Sequence, residues 1–152
     1  MHTVHTESNV CSNDVVSVLR SITTEGPPVV PAGFPSPAED YYDGPIDLDA
    51  HLIRNPAATY IMRISGRSME GAEIHDGDEI IVDRSLRAVD GSIIVAVVDN
   101  EFTCKTLRTN PPRLEPANPA FAPIPIPEEG ITVWGVVTTV IHHVLPGGAH
   151  GG

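Results

Sequence analysis

Hydrophobic and polar positions alternate along several stretches of this chain, and the alternation predicts strands. Residues 59–65 (TYIMRIS) alternate as a half-buried strand. Residues 79–83 (EIIVD) and 91–99 (GSIIVAVVD) are β-branched runs that follow turn residues and predict two more. Asp99-Asn100 stands between two strand-like runs, which predicts a tight hairpin into residues 101–107 (EFTCKTL). Residues 131–145 are apolar enough for a strand buried on both faces, or for one bent across two sheets. Residues 110–127 hold seven prolines in 18 positions, so they supply only edge strands and loops.

Helical patterning is scarce. Residues 47–54 (DLDAHLIR) predict a short helix, with Asp47 as N-cap, Leu48 and Leu52 four apart, and Pro56 as its stop. Residues 14–22 carry two weak helical turns at most. The expected architecture is mostly β: a compact β-rich domain over 46–145, an extended, flexible arm over 1–45 and a disordered tail over 146–152. No internal repeat is visible. The first segment has no tri-helical pattern, which argues against a helix-turn-helix DNA reader.

Charge narrows the function classes. Nine basic against 20 acidic residues give a net charge of −11. That argues against a whole-surface grip on nucleic acid, against direct specific DNA binding and against an anionic membrane surface. Hydrophobic residues at 41% allow a packed core, and aromatics at 5% make it one of Val, Ile, Leu and Ala. Two cysteines, Cys11 and Cys104, make neither a disulfide framework nor a four-ligand zinc site, so a reducing, cytoplasmic setting is expected. The N-terminal residues show no signal peptide, and the longest apolar stretch falls short of the roughly 20 residues of a membrane span.

Candidate chemistry begins at Ser65-Gly66-Arg67-Ser68-Met69. Gly66 permits a sharp turn after a strand, a serine there would expose its hydroxyl, and free N–H groups in the turn would stabilise an oxyanion. The bland reading is an ordinary serine in a glycine turn. Lys105 shares a strand face with Thr103 and Leu107. It is either a solvated edge residue or a desolvated amine able to take a proton from a serine. Cys104 beside it reads as a packing residue. The seven histidines show no metal-ligand spacing, and His142 and His143, being adjacent, point to opposite faces of a strand. No metal and no cofactor is expected. The acidic run Glu70, Glu73, Asp76, Asp78, Glu79 and Asp83 fails the EF-hand pattern and reads as a solvated turn.

Taken together, four stretches resemble the LexA/UmuD family of self-cleaving Ser-Lys peptidases, most closely its UmuD-like SOS mutagenesis proteins. They are GFPSPAEDY at 33–41, SGRSM at 65–69, DGDEIIVDRS at 76–85 and DNEFTCKTL at 99–107. The separation from Ser68 to Lys105, 105 − 68 = 37 residues, is the family's spacing. The segment VWGVVTTVIHHV at 133–144 resembles the family's closing strand. The resemblance implies Ser68 as nucleophile, Lys105 as general base, Ala32-Gly33 as the scissile bond, and the backbone N–H groups of Ser68 and Arg67 as oxyanion donors. It implies a homodimer triggered by a RecA filament on single-stranded DNA. After losing residues 1–32 the protein would serve a UmuC-like Y-family polymerase in error-prone translesion synthesis. A LexA-like repressor and a catalytically inert interaction module of the same fold are the alternatives. Two departures stand out. Ala72 and Glu73 occupy the end of a turn that is usually glycine-rich, and Glu79 follows DGD where a leucine is common. Arg67 is further expected to lower the Lys105 pKa by like-charge repulsion.

Overall fold

The β-branched runs pair as antiparallel strands in one seven-stranded sheet, ordered β1-β2-β7-β3-β4-β5-β6. The computed structural model describes residue 27, residues 29–33 and residues 45–146. The strands are β1 Thr59–Arg63, β2 Glu79–Asp83, β3 Ile93–Val98, β4 Glu101–Thr109, β5 Pro112–Glu115, β6 Ile124–Pro125 and β7 Thr132–Ile141. The chain divides into two units, Met1–Ile46 and Asp47–Gly152. In the first, Ala32 and Gly33 lie in an exposed bend. The weak helical turns at 14–22, most of the predicted arm and residues 147–152 lie outside the described residues.

Local chemistry sets the connections in the second unit. Asp99 and Asn100 close the β3–β4 hairpin with φ of 50° and 65°. Two left-handed residues in a two-residue loop match the right-handed twist of the flanking strands, and Asp and Asn tolerate that region best after glycine. The hairpin then runs in register from Val98↔Glu101 to Ile93↔Thr106. The proline-rich segment yields only two short strands: β6 is an edge strand as expected, whereas β5 is paired on both sides, by β4 and β6.

The predicted closing strand is real but differs from the expectation. It ends at Ile141, belongs to a single sheet, and among its residues only Gly135 is fully buried. Its pairing slips between Ile81 and Val82 on β2 and between Val95 and Ala96 on β3, so the sheet bends by irregular register within itself. A Cβ at Gly135 would lie 2.6 Å from Val82 Cγ1, so the close approach of β7 to β2 requires glycine. α1, Leu48–Leu52, is capped as read, with Ala50 N–H donating to Asp47 Oδ1 at 3.1 Å. It buries no residue, and Pro56 opens a further 3-10 turn, Pro56–Ala58.

The core has two parts. One gathers Met69, Ile74, Ile80, Val82 and Val95, and the other Ile94, Ala96 and Leu114. The first includes two residues from outside the strands, Met69 and Ile74, which bracket the 3-10 turn Glu70–Ala72. Burying them fixes the segment that follows Ser68.

The acidic run is not one solvated turn. Asp78 and Asp83 are each only 3% exposed. Each serves as a local acceptor: Asp78 Oδ2 takes the His75 N–H at 2.8 Å, and Asp83 Oδ1 takes the Ser85 N–H and hydroxyl at 2.8 and 2.6 Å. A carboxylate satisfied this way can be buried. Glu73 closes the 3-10 turn with φ 59°, in the left-handed region. A β-carbon in the left-handed region costs about 1 kcal/mol. Glu73→Gly is therefore expected to stabilise the fold by about 0.5–1 kcal/mol, read from the urea midpoint at unchanged m-value.

Candidate active site

The residues between β1 and β2 form a loop that hydrogen bonds to itself. Ile64 N–H donates to Asp78 O at 2.7 Å and Gly77 N–H to Ile64 O at 2.9 Å. Asp76 Oδ1 accepts the Gly66 N–H at 2.7 Å, with Gly66 at φ 100°. The DGD motif thus holds the glycine turn that leads to Ser68. On the other side, Ala117 N–H donates to Ser68 O at 2.8 Å and Gly71 N–H to Ala117 O at 2.6 Å.

Lys105 comes from the middle of β4. β3 pairs with residues 101–106 of this strand and β5 only from Thr106 onward, so residues 101–105 have a paired neighbour on one side alone. Lys105 is 9% exposed. Its Nζ lies 3.0 Å from Ser68 Oγ, 2.8 Å from Thr103 Oγ1 and 3.1 Å from Cys104 O. A cleft of about 210 Å³ runs past these atoms, lined among others by Met62, Ser65, Ser68, Phe102 and Lys105.

Burial pushes the Lys105 amine below the ordinary lysine value. Arg67 has no part in that shift, contrary to the repulsion expected from the sequence. Its guanidinium is exposed and pairs with Glu70 at 2.7 Å, which directs its charge into a local ion pair. Burial also pushes the Cys104 thiol up to about 11, so it stays protonated near neutrality, packed against the first core cluster.

A family model described as Peptidase S24-like matches residues 27–138. The chain belongs to that family. The MucA protein of Salmonella typhimurium is 48% identical over 118 residues, covering 75% of this chain and 81% of the relative. The SamA protein of Salmonella typhimurium strain LT2 is 47% identical over 113 residues, 74% of this chain and 79% of that one. The LexA repressor of Azoarcus sp. strain BH72 is 45% identical over 97 residues, 62% of this chain and 48% of the repressor. These likenesses make it a UmuD-like member of the LexA/UmuD proteins.

Within this S24-like domain the fold brings Ser68 and Lys105 together across 37 positions of sequence. Ala32 and Gly33 belong to the other unit. Among the described residues, neither the Arg67 nor the Ser68 N–H has a backbone acceptor. Asn118 explains part of this and was not legible in the sequence. Its Nδ2 donates to Arg67 O at 2.8 Å while its Oδ1 accepts the Ala120 N–H at 2.9 Å. A trans peptide points its C=O and N–H in opposite directions, so holding Arg67 O aims the Ser68 N–H away from Asn118. Thr103, two residues before Lys105 on its strand, shares its face and is also a direct hydrogen-bond partner.

The 71–117 contact is tight enough to test. A Cβ at Gly71 would stand 2.5 Å from Ala117 O, the group that also receives the Gly71 N–H. Gly71→Ala is expected to displace the residue that holds Ser68 and to cost about 1–3 kcal/mol, read by thermal unfolding.

Proposed function

We propose that this chain is a self-cleaving serine peptidase of the SOS DNA-damage response that cuts its own Ala32–Gly33 bond. In this reading the shortened form, without residues 1–32, acts as an accessory subunit of a UmuC-like error-prone translesion polymerase. The observation that carries the reading is the 3.0 Å approach of a buried Lys105 Nζ to Ser68 Oγ. An amine whose proton affinity is lowered by burial is a base for a serine hydroxyl, whereas a solvated one is spent as ammonium. The likeness to MucA and SamA supports the cellular role; in this reading the protein works as a homodimer and is triggered by a RecA filament on single-stranded DNA. The setting is the cytoplasm.

The chemistry balances with the residues in place. Lys105 Nζ, as neutral amine, accepts the Ser68 proton while Oγ bonds to the Ala32 carbonyl carbon. The oxygen of the tetrahedral intermediate takes hydrogen bonds from the Ser68 and Arg67 N–H groups. The C–N bond to Gly33 breaks as Nζ returns the proton to the leaving amine. Water then hydrolyses the ester by the reverse path. Ala and Gly leave the carbonyl uncovered, and the unpaired flank of β4 at residues 101–105 offers main-chain groups to an extended peptide.

The sign of the pH dependence follows from the Lys105 shift. Below its lowered pKa the amine is an ammonium with no lone pair, and cleavage is slow. The rate climbs about tenfold per pH unit up to that pKa, below the usual lysine value of about 10.4, and is flat above it. The unfolded chain binds this proton more tightly than the folded one, so between the two pKa values stability also rises with pH. Docking of the arm or of a filament removes water from Nζ and moves the midpoint down. Cleavage rate against pH, with and without an activated filament, measures this; a rate flat from about pH 6 to 10 would exclude Lys105 as base.

Intact-mass measurement at raised pH is expected to show a fragment beginning at Gly33. Ser68→Ala and Lys105→Met should each slow cleavage by more than about 100-fold, and the double variant should be no slower than either. Cleavage of Ser68→Ala at near-normal rate would remove Ser68 as nucleophile.

A further inference from the structure

The geometry points to a binding site for a divalent transition ion of the zinc class, built by His75, Asp78 and His142. His75 and Asp78 lie in the turn that leads into β2, and His142 follows the last residue of β7. The pairing of Glu79 with Ile141 brings the two segments side by side. One ligand atom from each of the three residues lies within 4.8 Å of the others.

The arrangement has the parts of a metal site. Asp78 is buried, and the two imidazoles are about half exposed, with ring centroids 5.6 Å apart. His75 Nδ1 stands 3.7 Å from Asp78 Oδ2, aimed at the carboxylate but too far to hydrogen bond to it. His142 Nδ1 is closer, 2.5 Å from Oδ1. Two ligands of a tetrahedral zinc, each at about 2.0–2.2 Å, stand roughly 3.3 Å apart, a value these two separations bracket. Small ring movements therefore make room for the ion. Imidazole with one carboxylate suits zinc, copper and nickel over magnesium or calcium.

The surroundings fit as well. The His75 N–H fixes Asp78 Oδ2 at 2.8 Å. Glu73 Oε2 lies 4.0 Å from His75 Nε2, on the side from which a carboxylate orients a ligating imidazole. The exposed edges of both rings leave a coordination position for water. On binding, the ion takes the lone pair of His142 Nδ1, and the ring proton there moves to Nε2 or to solvent. The site is distinct from Ser68 and Lys105, although the same turn holds Ile64 and Gly66.

The test uses the full chain carrying Ser68→Ala, so that it stays intact. Titration with zinc, and with cobalt followed by its visible absorption, is expected to show one ion per chain and a rise in melting temperature with zinc concentration. His75→Ala and His142→Ala should each weaken zinc binding by more than about tenfold. His75→Ala leaves the Asp78–His142 contact in place, so it reports on binding even if His142→Ala fails to fold. His143→Ala, which removes a partner of Glu79, should bind as the parent does, and so should the triple variant His2→Ala, His5→Ala, His150→Ala. No saturable binding, or binding that survives His75→Ala unchanged, overturns the site. Loss of binding in the triple terminal variant overturns it too.

Discussion

A lysine amine placed where water is scarce needs acceptors, and the geometry around Lys105 supplies three: Ser68 Oγ, Thr103 Oγ1 and Cys104 O. An ammonium donates to all three. A neutral amine has two N–H groups and one lone pair. Since Cys104 O can only accept, the lone pair must meet one of the two hydroxyls. The same shell therefore suits both protonation states, and losing the proton requires only that a hydroxyl turn. Losing the proton thus replaces a buried charge by a neutral group in unchanged surroundings. The constraint falls on the rest of the chain, because a site with so few acceptors must be held by backbone.

Charge placement follows from the same constraint. The chain carries 20 acidic residues, and any carboxylate against Lys105 would raise its pKa and hold its proton. Burial and Cys104 are the influences on that amine. The acids of the adjoining loop are engaged elsewhere. Glu70 pairs with Arg67, Asp76 receives the Gly66 N–H, and Asp78 and Glu79 face His142 and His143. Burial alone would push the Asp78 carboxyl up, but the His142 hydrogen bond, the His75 N–H and the nearby imidazoles outweigh it and hold it low. The acidic loop thus works as acceptors for its own backbone and neighbours.

Much of the sheet was legible because its signals are local. Alternation marked β1, β-branched runs marked β2 and β3, and Asp99-Asn100 marked the hairpin through residues that tolerate positive φ. Proline density marked β6 as an edge strand without any knowledge of its partner, but not β5, which pairs on both sides. Ser68 and Lys105 were legible through their spacing and flanking motifs, although either alone reads as an ordinary surface residue. What stayed hidden depends on tertiary pairing. Asn118 reaches Arg67 across 51 positions, and His142 reaches Asp78 across 64. No periodicity carries such contacts. The burial of Asp78 and Asp83 was misread for a related reason: composition counts charges, but burial depends on whether a local donor satisfies each one. The departure at Glu79 acquires a partner in His143, again from the far end of the sheet.

The Ser68 turn is suspended between two anchors of different kind. On one side Asp76 holds Gly66 through a side chain, and on the other Asn118 and Ala117 hold the carbonyls of Arg67 and Ser68. These bonds fix the peptide planes on both sides of Ser68, whose Oγ stands 3.0 Å from Lys105 Nζ. Under the proposed function, rigid N–H groups are what acyl transfer would ask of such a turn, because an oxyanion appears at a fixed place. The anchors belong to segments packed against the first core cluster through Met69, Ile74 and Ala117. The same cluster holds Val95, which pairs with Cys104 beside Lys105, so the Ser68 turn and the Lys105 strand rest on one core and a substitution there is felt at both.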